Sequence, residues 1–379
     1  MTRSIALSCV LAGCTAPTRN YDCTPAMQVP GAEHPRALEF QAFLDDAIAS
    51  APLPGVSLAV HDADGVWTGA AGSADLGTGD ALKSCNIVPI ASVTKTITAV
   101  SVAQLVQSGG LGWGDRLADR LPPETIAGLP NADSVTIAQL LNHTSGIPDT
   151  LDEAMLNCYT CEWTTEDLLD SVRGAAALNA AGEGWNYSGM NYILLSMVVQ
   201  AATGRQHSEV VADDIFSPLG MVDSWYGRAR PYPKASLVRG YTRLRPAGPW
   251  AEFDFPVETW RDPAEGGAVS TSEDLLRLDD DLFRDHVLVA EDTVDTMQTW
   301  VDLGGDFHGG RWDRYGYGLL SGETPAGRSI GMTGSLLSTG SDLYWLPDVQ
   351  TSYVLVYNGN GDDAAIQTMN DELAAMLAR

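Results

Sequence analysis

The sequence predicts an α+β fold, in which one antiparallel β-sheet is flanked by N- and C-terminal helices and carries a large, mostly helical insertion. Three observations lead to this prediction. Helical periodicity occurs near both ends of the chain, strand-like runs occur in two separate regions, and the long stretch between those regions is richer in helix signals. Joining the two strand regions in one sheet is the simplest arrangement that lets the terminal helices cover it.

The first elements of this fold follow one another closely. Residues 34–50 space their apolar side chains as a helix does. Residues 56–72 then alternate as two strands around Asp64-Gly65, a turn signal typical of a β-hairpin. We therefore assign residues 34–90 to the sheet and residues 91–299 to the helical insertion.

The strand pattern returns after residue 300. Short strand-like runs at 311–321, 327–333, 342–347 and 351–357 are separated by turn residues, as antiparallel strands are. Residues 362–378 form an amphipathic pattern that begins with aspartate, which favours a last helix. Residues 300–379 thus complete the sheet, and residues 34–379 are expected to form one domain.

Composition excludes several kinds of partner and cofactor. The chain has 379 residues and a formal net charge of −27, which argues against binding to nucleic acid or to an anionic membrane surface. After the N-terminus no stretch of about 20 apolar residues is present, so no membrane-spanning helix is expected. The six histidines are scattered without the spacing of a zinc site, and we expect neither a metal nor another cofactor.

The N-terminus has the features of an export signal. Arg3 is followed by a short apolar run and then by LAGC, which ends at Cys14 and resembles the bacterial lipobox, where the cysteine is lipidated. An ordinary secretory signal is the alternative. We expect residues 1–14 to be the export signal, residues 15–33 to be a linker or arm, and the protein to be a periplasmic or cell-surface lipoprotein or a secreted protein. Its contact with the membrane would be the lipid anchor.

Cysteine usage agrees with export. Four cysteines remain after the signal, and they allow three pairings. Our expectation is that disulfides join Cys23 to Cys85 and Cys158 to Cys161, since disulfides persist in oxidising compartments. The spacing of Cys158 and Cys161 also suggests a redox or metal site, which would need further ligands.

Ser92 and Lys95 are the first candidates for chemistry. They stand three residues apart at the start of an apolar helical run, so their side chains share one helix face. A serine hydroxyl becomes a good nucleophile when a base takes its proton, and a desolvated lysine can serve as that base. The helix N-terminus also favours a negative charge developing near Ser92.

Five further segments resemble those of class C β-lactamases and related penicillin-binding proteins, in the same order and with the same spacing. The family has an LLTHTSGLPD-type segment, a segment with Tyr-Ser-Asn, a Gly-Gly segment, a Tyr-Gly-x-Gly strand and a His/Lys-Thr-Gly strand. In this chain they are LLNHTSGIPD at 140–149, GEGWNYSGMNYILLS at 182–196, EGGAVSTSEDLLRL at 265–278, YGYGLL at 315–320 and GMTGSLLSTGSDLYWLPD at 331–348. The resemblance covers about residues 35–378 and implies the β-lactamase/transpeptidase-like fold.

The resemblance assigns roles to individual residues. Ser92 is similar to the acylated nucleophile, Lys95 to its activating partner, and Tyr187 to the tyrosine whose phenol carries protons to and from the leaving group. The backbone N–H groups of Ser92 and Ser335 would form the oxyanion hole, next to Thr333 and Gly334. It implies an exported serine hydrolase that cleaves an ester or amide through an acyl-serine, as an esterase, a D-amino-acid peptidase or a β-lactamase-like enzyme.

Two positions depart from the family pattern. Gly189 replaces an asparagine whose amide holds a substrate carbonyl and touches the lysine, and Asn191 matches a different position. Met332 replaces a histidine or lysine that helps to bind a substrate carboxylate, and Arg328 is the candidate substitute. These changes favour a neutral ester or amide, or a D-amino-acid-type amide, as the small-molecule or peptide substrate. They also leave a non-catalytic exported binding protein on the same fold as the alternative.

Other motifs are interpreted structurally. GRSIG around Ser329 fits the Gly-x-Ser-x-Gly pattern of α/β-hydrolases, but no histidine follows His308 to complete a triad, so we place Ser329 in a strand. His143 is interpreted as a structural histidine. The acidic runs 45–46, 213–214 and 279–281 are interpreted as solvated helix faces.

Overall fold

The computed structural model describes most of the chain, in separate stretches. These are residues 20–27, 34–50, 53–149, 161, 163–227, 229, 235–243, 248–254, 264–307, 311–360 and 363–379. Cys14, the rest of the expected export signal and Cys158 therefore lie outside the described residues.

Ten helices are found among the described residues. In chain order they are α1 (Ala37–Ser50), α2 (Val93–Gln107), α3 (Pro123–Ile126), α4 (Ile137–Leu141), α5 (Thr165–Asp170), α6 (Gly189–Thr203), α7 (His207–Val210, continued by a wider turn over Val211–Phe216), α8 (Ser272–Asp280, continued likewise over Asp281–Asp285), α9 (Glu291–Met297) and α10 (Asp363–Leu377). A 3₁₀ turn covers Leu117–Asp119.

Fourteen strands are described. They are β1 (Gly55–Asp62), β2 (Gly65–Asp75), β3 (Asp80–Ala81), β4 (Val88–Pro89), β5 (Tyr241–Thr242), β6 (Ala251–Glu252), β7 (Val269–Ser270), β8 (Val301–Phe307), β9 (Trp312–Tyr315), β10 (Leu320–Thr324), β11 (Gly327–Ser335), β12 (Gly340–Leu346), β13 (Thr351–Tyr357) and β14 (Gly359–Asn360).

The main sheet has nine strands and joins both ends of the chain. Its order is β3-β2-β1-β13-β12-β11-β10-β9-β8, and all of its neighbouring strands are antiparallel. The hairpin predicted around Asp64-Gly65 forms β1 and β2, and β1 pairs directly with β13 from the other strand region. The predicted α+β fold with a helical insertion is thus confirmed. The strand β8 lies outside the predicted strand runs.

The helix α2 is the centre of the domain. Every residue from Val93 to Ala103 is buried, including Lys95. A helix that is covered on all sides tolerates few charges on its surface, and apart from Lys95 this stretch holds only apolar, threonine and serine side chains. Because α2 packs against β11 and β12 on one side and α6 on another, it carries Ser92 to the boundary between sheet and insertion.

An N-terminal arm, residues 20–27, is attached to this domain. A disulfide joins Cys23 to Cys85, the first of the two expected pairs. The backbone N–H groups of Ala26 and Met27 donate to the Glu273 carboxylate at 2.7 and 3.0 Å. Cys161 is also disulfide-bonded. In the described part of the chain, no helix combines the length and the apolar character that a membrane span requires.

Candidate active site

Ser92 lies at a sharp turn between β4 and α2. Ala91, immediately before it, has a φ of 49°, in the left-handed region that an alanine adopts only at a cost. The turn is held on both sides, because Ile90 N–H donates to the Ala268 carbonyl and Ser341 Oγ donates to the Ile90 carbonyl. The surrounding structure therefore fixes a strained turn that leaves Ser92 half-buried at the start of α2.

Lys95 lies one helical turn further along α2, as the spacing predicts. Its Nζ is 3.1 Å from Ser92 Oγ, 2.5 Å from the Glu265 carbonyl oxygen and 3.5 Å from Glu265 Oε2. Burial disfavours a charge on Lys95, but Tyr187 and the carboxylates of Glu265 and Asp149 outweigh burial and raise the Lys95 pKa above its usual range. Lys95 is therefore an ammonium at neutral pH, and one of its N–H groups points to Ser92.

Tyr187 completes the cluster from the segment before α6. Its hydroxyl is 2.8 Å from Ser92 Oγ, and its ring lies 4.9 Å from Lys95 Nζ. The ring packs against the buried His143, whose centroid is 4.4 Å away. Burial and the nearby Lys95 charge hold the His143 pKa well below its usual range, and its Nδ1 accepts the Ser188 N–H. His143 is therefore a neutral support behind Tyr187.

The strand β11 lines the other side of Ser92. A β-carbon on Gly334 would stand 2.3 Å from the Ile90 carbonyl oxygen and 3.0 Å from the Ser92 nitrogen, so the strand reaches the Ser92 turn only because residue 334 is glycine. Ser335 follows at the exposed end of the strand, where its Oγ accepts Asn360 Nδ2 at 2.7 Å. The Thr333 side chain lies on the same face of β11 as that of Ser335 and donates to Asp342 Oδ1 at 2.6 Å.

Met332 and Arg328 do not bring a cation to Ser92. Met332 is 1% exposed, and its sulfur accepts the Tyr315 hydroxyl at 3.9 Å. Arg328 lies near the far end of β11, where it pairs with Glu323 at 2.9 Å and Asp313 at 3.3 Å. The candidate substitution of Arg328 for the missing cation is therefore not found.

Gly189 begins α6, and its N–H donates to Asp149 Oδ2 at 2.7 Å. Asn191 does not replace the missing amide. Its Oδ1 accepts the Ser145 hydroxyl at 2.7 Å, and its Nδ2 lies 3.2 Å from His143 Nδ1. Asn191 is fully buried and stabilises the His143 turn. No side-chain amide therefore comes from residue 189 or residue 191 to the place beside Lys95.

Ser329, the serine of the Gly-x-Ser-x-Gly pattern, is a structural residue, as predicted. Ser329 is fully buried within β11, and its hydroxyl donates to the Gly322 carbonyl at 3.2 Å. This is neither the sharp strand-to-helix turn nor the exposed position that a nucleophile of α/β-hydrolases requires. Among the described residues, no group of three His, Cys, Asp or Glu side chains is arranged to hold a metal ion.

Two carboxylates near Lys95 were not predicted. Glu265 begins one of the family-like segments, and Asp149 ends another, yet neither received a role from the sequence. Glu265 is 170 residues from Lys95 along the chain. A local pattern therefore carries no signal for this contact, which forms only when the segment before β7 folds onto α2.

Comparison with known proteins places this arrangement in a family. A family model described as beta-lactamase matches residues 40–376. A penicillin-binding protein of Bacillus subtilis is 27% identical over 305 residues, which make up 74% of this chain and 62% of that protein. Penicillin-binding protein 4 of Amycolatopsis lactamdurans is 33% identical over 174 residues, 45% of this chain and 44% of that protein. The chain thus spans less than two thirds of the length of these relatives.

Solved structures agree over more of the chain. The D-amino acid amidase from Ochrobactrum anthropi SV3, complexed with L-phenylalanine amide, has a TM-score of 0.78 and 26% identity over 89% of this chain and 96% of that one. A D-stereospecific amidohydrolase from Streptomyces sp. has a TM-score of 0.71 and 26% identity over 88% and 98%. The family match, the fold and the Ser92–Lys95–Tyr187 cluster agree, and the chain belongs to the β-lactamase family of serine hydrolases.

Proposed function

We propose that this protein is an exported serine hydrolase that cleaves a neutral ester or an amide of D-amino-acid type through an acyl-enzyme on Ser92. The observation that carries the proposal is the position of Ser92 Oγ, which lies 3.1 Å from Lys95 Nζ and 2.8 Å from the Tyr187 hydroxyl. A nucleophile within hydrogen-bond reach of two proton-carrying groups is the arrangement that acyl transfer requires.

The protonation states of Lys95 and Tyr187 decide which of the two groups transfers the proton during acylation. Because Lys95 keeps its proton, this scheme requires Tyr187 to enter the step as a phenolate, which takes the proton of Ser92 as Oγ forms a bond to the substrate carbonyl carbon. The carbonyl π bond opens to an oxyanion, which the N–H groups of Ser92 and Ser335 receive. Tyr187 then gives the proton to the leaving group as its bond to the carbonyl carbon breaks.

Deacylation repeats these steps with water. Tyr187 accepts a proton from the water molecule that attacks the acyl carbon, and it returns that proton to Ser92 Oγ when the acid leaves. The enzyme is thus restored with no other reactant than water. The same two groups serve both half-reactions, as microscopic reversibility requires.

The substrate class follows from what the site lacks. Met332 is buried and Arg328 is paired elsewhere, so neither offers a cation to a substrate carboxylate. Penicillins and peptides ending in D-alanine carry such a carboxylate, whereas neutral esters and amino acid amides do not. The similarity to the D-amino acid amidase supports the amide part of this proposal.

Export is part of the proposal. The lipobox at Cys14 motivates it, and the Cys23–Cys85 disulfide supports an oxidising compartment. A globomycin-sensitive shift in the mass of the N-terminal peptide in a bacterial host would test lipidation at Cys14. An unmodified or uncleaved N-terminus would contradict it.

The decisive experiment is labelling of purified protein with a fluorophosphonate, followed by a panel of neutral esters, D-amino acid amides and penicillins. We expect labelling that is lost in Ser92→Ala and kept in Ser329→Ala, the matched serine control. Neutral esters or D-amino acid amides should turn over faster than penicillins. A folded protein that reacts with no acylating probe would support the alternative of a non-catalytic binding protein.

A further inference from the structure

Glu265 occupies a position beside Lys95 that the proposed acylation chemistry does not yet explain. Its carboxylate oxygen Oε2 lies 3.5 Å from Lys95 Nζ, while its own carbonyl oxygen accepts the same ammonium at 2.5 Å. The lysine side chain is 1% exposed and the glutamate side chain 12%. The pair is therefore shielded from water. In such an environment of low dielectric constant an ionic interaction is strong, and the loss of one partner is costly.

The segment that carries Glu265 is fixed to α2. Thr98 Oγ1 donates to the Ala264 carbonyl at 2.8 Å, and Ala268 N–H donates to Thr94 Oγ1 at 3.1 Å. These two hydrogen bonds attach the segment to α2 at Thr94, immediately before Lys95, and at Thr98, about one turn after it. Glu265 is thus held against the lysine by the backbone on both sides.

Lys95 has three N–H groups and three acceptors. These acceptors are Ser92 Oγ, the Glu265 carbonyl and the Glu265 carboxylate. An ammonium donates to all three, whereas a neutral amine donates to two and accepts the Ser92 O–H with its lone pair. The Glu265 carboxylate is the anionic acceptor among the three, and its position favours the charged form of the lysine.

The segment that begins α6 offers no side chain to the lysine from residue 189, because Gly189 has none. Here Gly189 contributes its backbone N–H to Asp149 instead. The Glu265 side chain supplies a contact to the lysine from another part of the chain.

We propose that Glu265 is a positioning residue that keeps Lys95 charged and aims it at Ser92, so that Tyr187 rather than Lys95 handles the proton of the reaction. This inference rests on the proposed acyl-serine function. The titratable groups that face Lys95 from all sides are Glu265, Tyr187, Tyr192, Asp149 and His143. Of these, Glu265 is the carboxylate whose distance to the ammonium is 3.5 Å.

The test is Glu265→Gln, which removes the charge but keeps the shape, beside Glu265→Asp, which keeps the charge. Loss of a negative partner at this distance lowers the pKa of a lysine by about 1–3 units. The rate of fluorophosphonate labelling at pH 9.5, relative to pH 7, should therefore fall by tenfold or more in Glu265→Gln and stay near wild type in Glu265→Asp. The matched control is Glu372→Gln, which changes the same charge at an exposed position on α10.

A second measurement does not depend on activity. Because the chain has only three lysines, the side-chain resonances of ¹³C-labelled lysine can be assigned by substitution and followed with pH. Lys95 should titrate at lower pH in Glu265→Gln than in wild type. The inference is overturned if Lys95 titrates identically in both proteins, or if the pH dependence of labelling is unchanged. An unreactive wild type would instead contradict the proposed function, while the titration would still decide the role of Glu265.

Discussion

Gly334 lies against the Ile90 carbonyl at the turn that holds Ser92, so closely that a β-carbon on Gly334 would stand 2.3 Å from the Ile90 oxygen and 3.0 Å from the Ser92 nitrogen. This contact brings the end of β11 to the nucleophile. It places the Ser335 amide next in the chain, where the proposed oxyanion hole needs it. The glycine is therefore a requirement of the site's geometry.

Gly334→Ala should separate β11 from the Ser92 turn and disturb the oxyanion hole. Since one oxyanion donor contributes about 10²–10³ in rate, we expect the rate of acylation to fall by about that factor. Stopped-flow or time-resolved labelling measures it. Gly114→Ala is the control, because a β-carbon there meets no atom within 4 Å. Wild-type acylation in Gly334→Ala would contradict the role given to this contact.

Met332→His should restore a group that can bind a substrate carboxylate. A charge-assisted hydrogen bond contributes about 1.5–3 kcal/mol, so acylation by penicillins should rise by tenfold or more. Neutral esters should change little. Comparing the acylation rates of a fluorescent penicillin and a neutral ester checks this, with Met332→Leu as a control of similar volume. If penicillins gain nothing, the missing cation does not decide the substrate class.

Asp279→Asn should stabilise the protein at neutral and alkaline pH. Burial raises the pKa of the Asp279 carboxyl well above its usual range, although the Ser352 hydroxyl acts in the opposite direction. The unfolded chain releases this proton near pH 4 while the folded chain keeps it, so the free energy of unfolding falls as pH rises from about 4 towards the folded-state pKa.

The Asp279→Asn substitution abolishes this fall in the free energy of unfolding. The fall amounts to about 1.4 kcal/mol for each unit by which folding raises the pKa. Urea unfolding of wild type and Asp279→Asn at pH 5 and pH 8 measures it. The two proteins should differ more at pH 8 than at pH 5. Asp45→Asn, at an exposed position of α1, should show no such dependence. Equal differences at both pH values would contradict the assignment.

Removing the disulfide should destabilise the protein without removing the site. Cys23 and Cys85 are 62 residues apart, and closing a loop of that length contributes about 2–4 kcal/mol to stability. The double variant Cys23→Ala/Cys85→Ala should lose about this free energy of unfolding but keep fluorophosphonate labelling at 20 °C. Loss of labelling in a folded double variant would mean that the arm also supports the site.

The features predicted correctly from the sequence are those that depend on neighbours along the chain. The β1–β2 hairpin follows from its Asp-Gly turn, and the approach of Lys95 to Ser92 follows from the helical spacing. The position of Tyr187 came from the resemblance of its segment. The Glu265–Lys95 pair could not be predicted, because it joins segments that meet only in the folded domain.

The acidic run at 279–281 is a second feature whose environment depends on segments distant in the sequence. Asp279, Asp280 and Asp281 were interpreted as a solvated face, and this is wrong, since all three are buried. The helix α8 packs against β13 and β1, where Asp280 meets His61 at 2.8 Å and Asp281 accepts the N–H groups after α8. Their charge led to the prediction that these side chains face solvent. They are buried instead because α8 lies against the main sheet. The runs at 45–46 and 213–214 do face solvent or pair at the surface.

If Cys14 carries the proposed lipid, the attached arm also limits how far the domain can stand from a membrane. Asn20 N–H already donates to the Ala235 carbonyl, and only six residue steps separate Asn20 from Cys14. Six residues span at most about 20 Å even when fully extended. A lipid on Cys14 would therefore act as a very short tether, and the enzyme would meet its substrates beside the bilayer surface rather than at a distance from it.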